Sequence, residues 1–168
     1  MVLGRDSITD SSKPEEFRVR AAAKEDLPRI LQVDQLGFAD GCGYNWLALR
    51  QIYDAAPDYL LIAEALAGKD LAGYIAGLPG LDPAELWIVS VVVHPARRGG
   101  PIFLSLCSAL RQKAVARGVA RAFLTVKPDN QAVLRMAERF GFRAVQREAD
   151  YFGPGEERLL LEWTVEHD

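Results

Sequence analysis

The run WIVSVVVHPARRGGPIFLSLCSALRQKAVAR, from Trp87 to Arg117, decides how the chain is read. Its first part is apolar and β-branched, with Val89, Val91, Val92 and Val93 in close succession, and predicts a strand buried on both faces. ARRGG follows, a basic, glycine-rich turn. Phe103, Leu106, Cys107, Leu110 and Ala114 then recur at helical spacing and give one apolar face. A strand that feeds a glycine loop and then a helix start is suited to holding phosphate. Loop and first-turn N–H groups point outward, glycine lets a ligand approach the backbone, and the helix dipole favours an anion. Arg97 and Arg98 add positive charge in the same loop.

Outward from this run, the pattern extends in both directions. Phe17–Arg20 alternates as a short strand. Leu27, Ile30, Leu31 and Phe38 sit on helical spacing, with Pro28 tolerable in a first turn. GFADGCGY interrupts, and Trp46, Leu49 and Tyr53 resume a helical face. Tyr59–Ala65 and Leu71–Gly77 read as a hairpin across Ala67–Asp70. Past the central helix, Gly118 is a natural helix stop, Ala120–Val126 a strand, and Asp129 or Asn130 an N-cap. Val133, Met136, Ala137 and Phe140 form the stripe of a last helix ending at Gly141, and Phe142–Tyr151 and Arg158–Val165 read as two closing strands. The order β, α, α, β, β, β, α, β, α, β, β mixes hairpins with crossovers. It predicts one mixed α/β sheet, not a purely parallel one.

The totals bound the classes. The 168 residues predict a single domain from 17 to 168 behind a flexible leader, 1–16, which has no apolar core and so is no secretory signal. The net charge of −3 argues against nucleic acid as the main partner. No apolar run reaches the roughly 18 residues of a membrane span. Two cysteines, Cys42 and Cys107, make no disulfide framework and fit a reducing, cytoplasmic setting. Two histidines and two cysteines far apart are a poor metal set.

VVVHPARRGG resembles the acyl-CoA loop V-x-P-x-x-R-G-x-G-x-G/A of the GNAT N-acetyltransferase superfamily. LTVKPDNQAVLRMAERFGF resembles its second signature, L-x-V-x-x-x-N-x-x-A-x-x-x-Y-x-x-x-G-F. The order and spacing of the two, with one helix between them, carry the resemblance, which covers roughly Phe17 to Val165. It implies a GNAT-like, mostly antiparallel mixed sheet flanked by about four helices, with splayed parallel central strands. It also implies transfer from acetyl-CoA to an amine, with no metal; a homodimer is left open. Pantetheine would then pair with the backbone of Val91 and Val93. Pyrophosphate would sit on the Arg97, Arg98, Gly99, Gly100 and Ile102 segment, and Asn130 would reach the pantetheine arm. The loop departs from the pattern: Pro101 lacks an N–H, and Ile102 or Phe103 stands where a small residue is usual. Ala137 replaces the family's thiolate-protonating Tyr. Tyr151, near the final hairpin, is the candidate to stand in for it, and Glu85 is the candidate base, since an attacking ammonium must lose a proton. Asp34, Asp40, Tyr44 and Trp46 are expected near the acceptor. Two rival readings are a non-catalytic acyl-CoA binder of the same fold and an unrelated α/β domain that binds a nucleotide.

Overall fold

The computed structural model describes residues 16–38, 41, 43–68 and 70–165. Among these, seven strands form one sheet: β1 (Phe17–Ala21), β2 (Leu60–Ala65), β3 (Leu71–Pro79), β4 (Glu85–Val93), β5 (Arg121–Val126), β6 (Arg143–Glu148) and β7 (Arg158–Thr164). Their spatial order is β1-β2-β3-β4-β5-β7-β6. Only β4 and β5 run parallel; every other pair is antiparallel. The mixed sheet expected from the sequence is thus present, with its parallel pair at the centre.

Four helices flank it among the described residues: α1 (Leu27–Gly37), α2 (Trp46–Ala55), α3 (Ile102–Ala116) and α4 (Gln131–Arg139). Leu27, Ile30 and Val33 of α1 and Leu49 and Ile52 of α2 pack with Leu60, Ile62 and Tyr74 on one face. Ile102, Phe103, Leu106, Cys107 and Leu110 of α3, with Ala137 of α4, pack with Leu61, Ile75, Leu86 and Leu161 on the other. Alternation along β2 sends Leu60 and Ile62 to the first core and Leu61 and Ala63 to the second, as a strand buried on both faces requires.

Both α3 and α4 end as the sequence predicts. Val119 N–H donates to Ala114 and Gly118 N–H to Val115, each at 3.0 Å. Phe142 and Gly141 repeat the arrangement on Ala137 and Glu138. These paired bonds satisfy the last carbonyls and turn the chain into the following strand. The predicted first helix is divided: Lys24–Asp26 is a 3-10 turn, and α1 starts at Leu27. Asp26 does not cap α1; its carboxylate is taken by Arg20, Arg29 and the Ala23 amide. No helix among the described residues is long and apolar enough to cross a membrane.

Candidate active site

The parallel pair closes for only part of its length. Glu85–Ile88 pairs with Arg121–Leu124, and the contact stops there. Beyond it, Ser90–Val93 stays with β3, while Thr125 and Val126 stay with β7. The two central strands therefore part, opening a gap in the middle of the sheet. His94 N–H donates to Ala72 of β3 at 2.8 Å. Backbone groups alternate between the two edges of a strand, so the amides of Val93 and Val91 point the other way, into the gap. These are the two residues expected to pair with an extended ligand.

A bulge lies where the gap begins. Gly77 faces Ile88 and Ala76 faces Ser90, which leaves Val89 without a partner on β3. One extra residue reverses which side chains face which core. Before it, Leu86 and Ile88 point towards α3; after it, Val91 and Val93 do, while Ser90 and Val92 turn towards α1. The Val89 carbonyl accepts from the Tyr44 hydroxyl at 2.8 Å.

The glycine loop lies at the open end of the gap. Gly99 has φ +84° and Gly99, Gly100 and Pro101 are exposed. Ser105 is the first amide of α3 with a helical acceptor, the Pro101 carbonyl at 2.9 Å, so the amides of Ile102, Phe103 and Leu104 precede the helical ladder. Ile102 and Phe103 are each 6% exposed and belong to the core under α3. The bulk that departs from the family pattern is turned inward, and the backbone side of the loop stays bare. Acyl-CoA needs an anion cradle and an edge to lie along, and these residues offer both. Arg98 Nη2 donates to the Gly37 carbonyl at 3.2 Å, tying the loop to the end of α1. His94 caps the turn before the loop, its Nδ1 accepting from the Ala96 amide at 3.2 Å.

On the α1 side, Asp34 is fully buried. It accepts the Tyr44 amide at 2.5 Å and the Tyr74 hydroxyl, and Tyr74 in turn lies 2.8 Å from Ser90 Oγ. Burial pushes the Asp34 carboxyl up, opposed by the bond from Tyr74. Burial likewise pushes the Tyr44 hydroxyl up to about 12 and Tyr74 well above its usual range, with the Asp34 charge adding to both. A Cβ on Gly43 would stand 2.5 Å from Asp34 Oδ2, so the carboxylate fits only because residue 43 has no side chain.

The remaining expected residues are spread more widely. Asn130 caps α4, Oδ1 accepting from the Val133 amide at 3.2 Å, and its Nδ2 makes no hydrogen bond among the described residues. Trp46 opens α2 behind the Asn45 cap and is half exposed. Asp40 lies outside the described residues. Tyr151 sits in the β6–β7 loop, edge-on to Phe152 at 4.8 Å. Glu85 is ion-paired to Arg121 at the closed end of the β4–β5 pair, away from the gap. Ala137, 1% exposed, faces the α3 core. Tyr74 escaped the sequence reading, hidden in a hairpin of small and aliphatic residues. The available signal was Asp34 itself, one turn after Ile30 on the apolar face of α1.

Residues 25–142 match the profile of the acetyltransferase (GNAT) family. The chain belongs to this family. An acetyltransferase of Sodalis glossinidius is 36% identical over 86 residues, 51% of this chain and 58% of that relative. The match thus spans less than two thirds of the relative's length. Among solved GNAT-fold structures, Ard1 from Thermoplasma volcanium superposes with a TM-score of 0.79 at 16% identity, covering 90% of this chain and 99% of that one. The NatC complex bound to Gag peptide and CoA gives 0.79 at 19% identity, with 90% and 99% covered. At these identities the likeness is one of fold.

Proposed function

We propose that this protein transfers the acetyl group of acetyl-CoA directly to a primary amine, with donor and acceptor held together on one chain. The observation that carries the reading is the parting of β4 from β5 beyond Ile88 and Leu124, directly below a bare glycine loop and a helix start. Val91 and Val93 amides would hold the pantetheine arm, and the amides of Gly99, Gly100 and Ile102 the pyrophosphate, with Arg97 and Arg98 adding charge. Asn130 Nδ2 is free to reach the arm while Oδ1 caps α4. Acetyl-CoA supplies an activated thioester. The chain supplies proximity and a route for the amine's proton, and proximity alone is worth much of such a rate.

The acceptor would enter on the α1–α2 side, past Tyr44 and Trp46. The NatC structure of similar fold was solved with a peptide and CoA, which supports including a protein N-terminus among the candidate amines beside small molecules and lysine. Glu85 is committed to Arg121; in this proposal it holds the closed end of the central pair and is not the base. Two cysteines, too few for a disulfide framework, suit work in a reducing, cytoplasmic setting.

The rival is an acyl-CoA binder without chemistry, favoured by the buried Ala137 where many relatives carry a Tyr. Calorimetric titration with acetyl-CoA and a thiol-release assay over an amine panel separate the two. Binding with turnover is expected. Binding without turnover on any amine supports the rival, and no binding up to millimolar acetyl-CoA overturns both.

A further inference from the structure

Asp34 makes an unusual choice for a helix face that otherwise buries Leu27, Ile30 and Val33. A carboxylate there has given up water for two hydrogen bonds, and an apolar side chain of similar size would cost the fold less. Its two oxygens have different partners. Oδ2 takes the Tyr44 backbone N–H, a group that neither gives up nor accepts a proton near neutral pH. Oδ1 takes the Tyr74 hydroxyl, which meets Ser90 Oγ at 2.8 Å. Asp34 and Tyr74 are sealed from solvent, whereas Ser90 retains 8% exposure. Ser90 is the residue immediately after the Val89 bulge, on the strand edge where the gap opens. Among the described residues, hydrogen bonds lead from the sealed carboxylate through Tyr74 to Ser90, two residues past Ile88, the last residue of β4 paired with β5.

We infer that Ser90, Tyr74 and Asp34 form a proton relay that takes the proton from the acceptor ammonium at the gap and stores it on Asp34. This rests on the acetyl-transfer reading above. The step balances without an outside reagent. The N–H bond of the ammonium breaks and its proton goes to Ser90 Oγ. The Ser90 hydroxyl proton passes to Tyr74 Oη, and the Tyr74 proton to Asp34 Oδ1. Ammonium and carboxylate become amine and carboxylic acid, and both hydroxyls are restored with their orientation reversed. Burial favours the neutral carboxylic acid, which makes Asp34 a better proton acceptor than an exposed carboxylate. The titratable groups facing Asp34 are Tyr44 and Tyr74. Among the described residues Arg98 reaches the Gly37 carbonyl at the end of α1, and the Arg20, Asp26, Arg29 and Glu64 cluster lies at the opposite end.

The test uses Asp34→Asn, which keeps an oxygen for the Tyr44 amide and a donor for Tyr74 but cannot take the proton. Tyr74→Phe and Ser90→Ala cut the path at its other two points. Acetyl-CoA is the donor, with an alanyl peptide bearing a free N-terminus, lysine and spermidine as acceptors. Wild type should show an acid limb in kcat/KM set by Asp34, at the pH where the Asp34 carboxyl carbon resonance titrates in the free protein. All three variants should lose about 100-fold or more in kcat. In Asp34→Asn the limb should be replaced by a rise that follows the amine's own ionisation. Tyr74→Phe should also shift the Asp34 resonance titration without any substrate present. An even loss across pH with the limb retained would reveal a packing role and overturn the relay, as would an Asp34 resonance indifferent to Tyr74→Phe. Wild type without turnover on any acceptor overturns the acetyl-transfer reading, and the relay with it. Relay failure alone leaves wild-type turnover intact.

Discussion

The hydroxyl of Tyr44 donates to the carbonyl of Val89, 2.8 Å away, at the one residue by which β4 outruns β3. The bond joins the α1–α2 loop to the point where the central strands part. It ties the side on which the proposed acceptor would enter to the strand edge proposed for the donor.

Removing that hydroxyl tests the tie. Tyr44→Phe leaves a part-buried carbonyl without its donor and should cost about 1–2 kcal/mol of stability. Chemical denaturation should show the midpoint falling with the slope unchanged. If the bulge is held by this bond, KM for the amine should rise as well. Wild-type stability and KM together would show that the bulge holds itself.

The loop conformation can be challenged at Gly99. Its φ of +84° is one that a side chain resists, while a Cβ there would meet nothing within 4 Å. Gly99→Ala should therefore cost about 1–2 kcal/mol through backbone strain alone. Acetyl-CoA affinity by calorimetry should weaken several-fold. Unchanged affinity would mean that the phosphates do not use this turn.

Arg98 offers an electrostatic test. Arg98→Ala should weaken acetyl-CoA binding by about 1–3 kcal/mol if the guanidinium adds a charge-assisted bond to phosphate beside its link to Gly37. The deficit should shrink as salt is raised, because exposed charge is screened. A loss of melting temperature with no loss of affinity would assign Arg98 to the end of α1 alone.

Acid should unfold the β1–β2 corner first. Glu64 accepts from Arg18, Arg20 and Arg29, and these bonds, Arg20's foremost, hold its carboxyl down at about 2 against an ordinary 4.5. Asp26 is lowered too, again chiefly by Arg20. A group whose folded pKa is depressed stabilises the fold above its ordinary pKa. That contribution is lost as pH falls from about 4.5 towards 2, because the unfolded chain binds the proton more readily. Melting temperature should drop through this window, and Glu64→Gln should flatten the drop. Parallel wild-type and variant curves would refute the assignment.

Asp34 should behave in the opposite sense. Its carboxyl is raised by burial, so its ionised form costs stability, and the favourable contribution of the acid form is lost as pH rises through the folded pKa. Asp34→Asn should be at least as stable as wild type at pH 7 by thermal melting. A clear loss there would mean that the ionised carboxylate's own bonds outweigh its burial.

Much of this protein is local and was legible in its sequence. The element order follows from apolar periodicity, which shifts from two to about 3.6 where strand gives way to helix. Gly118 and Gly141 announced two helix ends, Asp129–Asn130 announced a cap that the structure gives to Asn130, and the HPARRGGP turn marked a phosphate-suited loop, each because the residue itself dictates nearby backbone conformation or hydrogen bonding. What remained hidden depends on partners distant in the chain. Asp34 and Tyr74 are 40 residues apart, Tyr44 and Val89 are 45, and Glu85 and Arg121 are 36, so no local pattern records that they meet. The same holds for Ile102 and Phe103, whose bulk is harmless only because α3 rotates it into the core. The Val89 bulge is a mismatch between two strands and belongs to neither alone. Local sequence determined the elements and the glycine loop. Pairing across the sheet decided which carboxylate is sealed beside the gap and which is spent on an arginine.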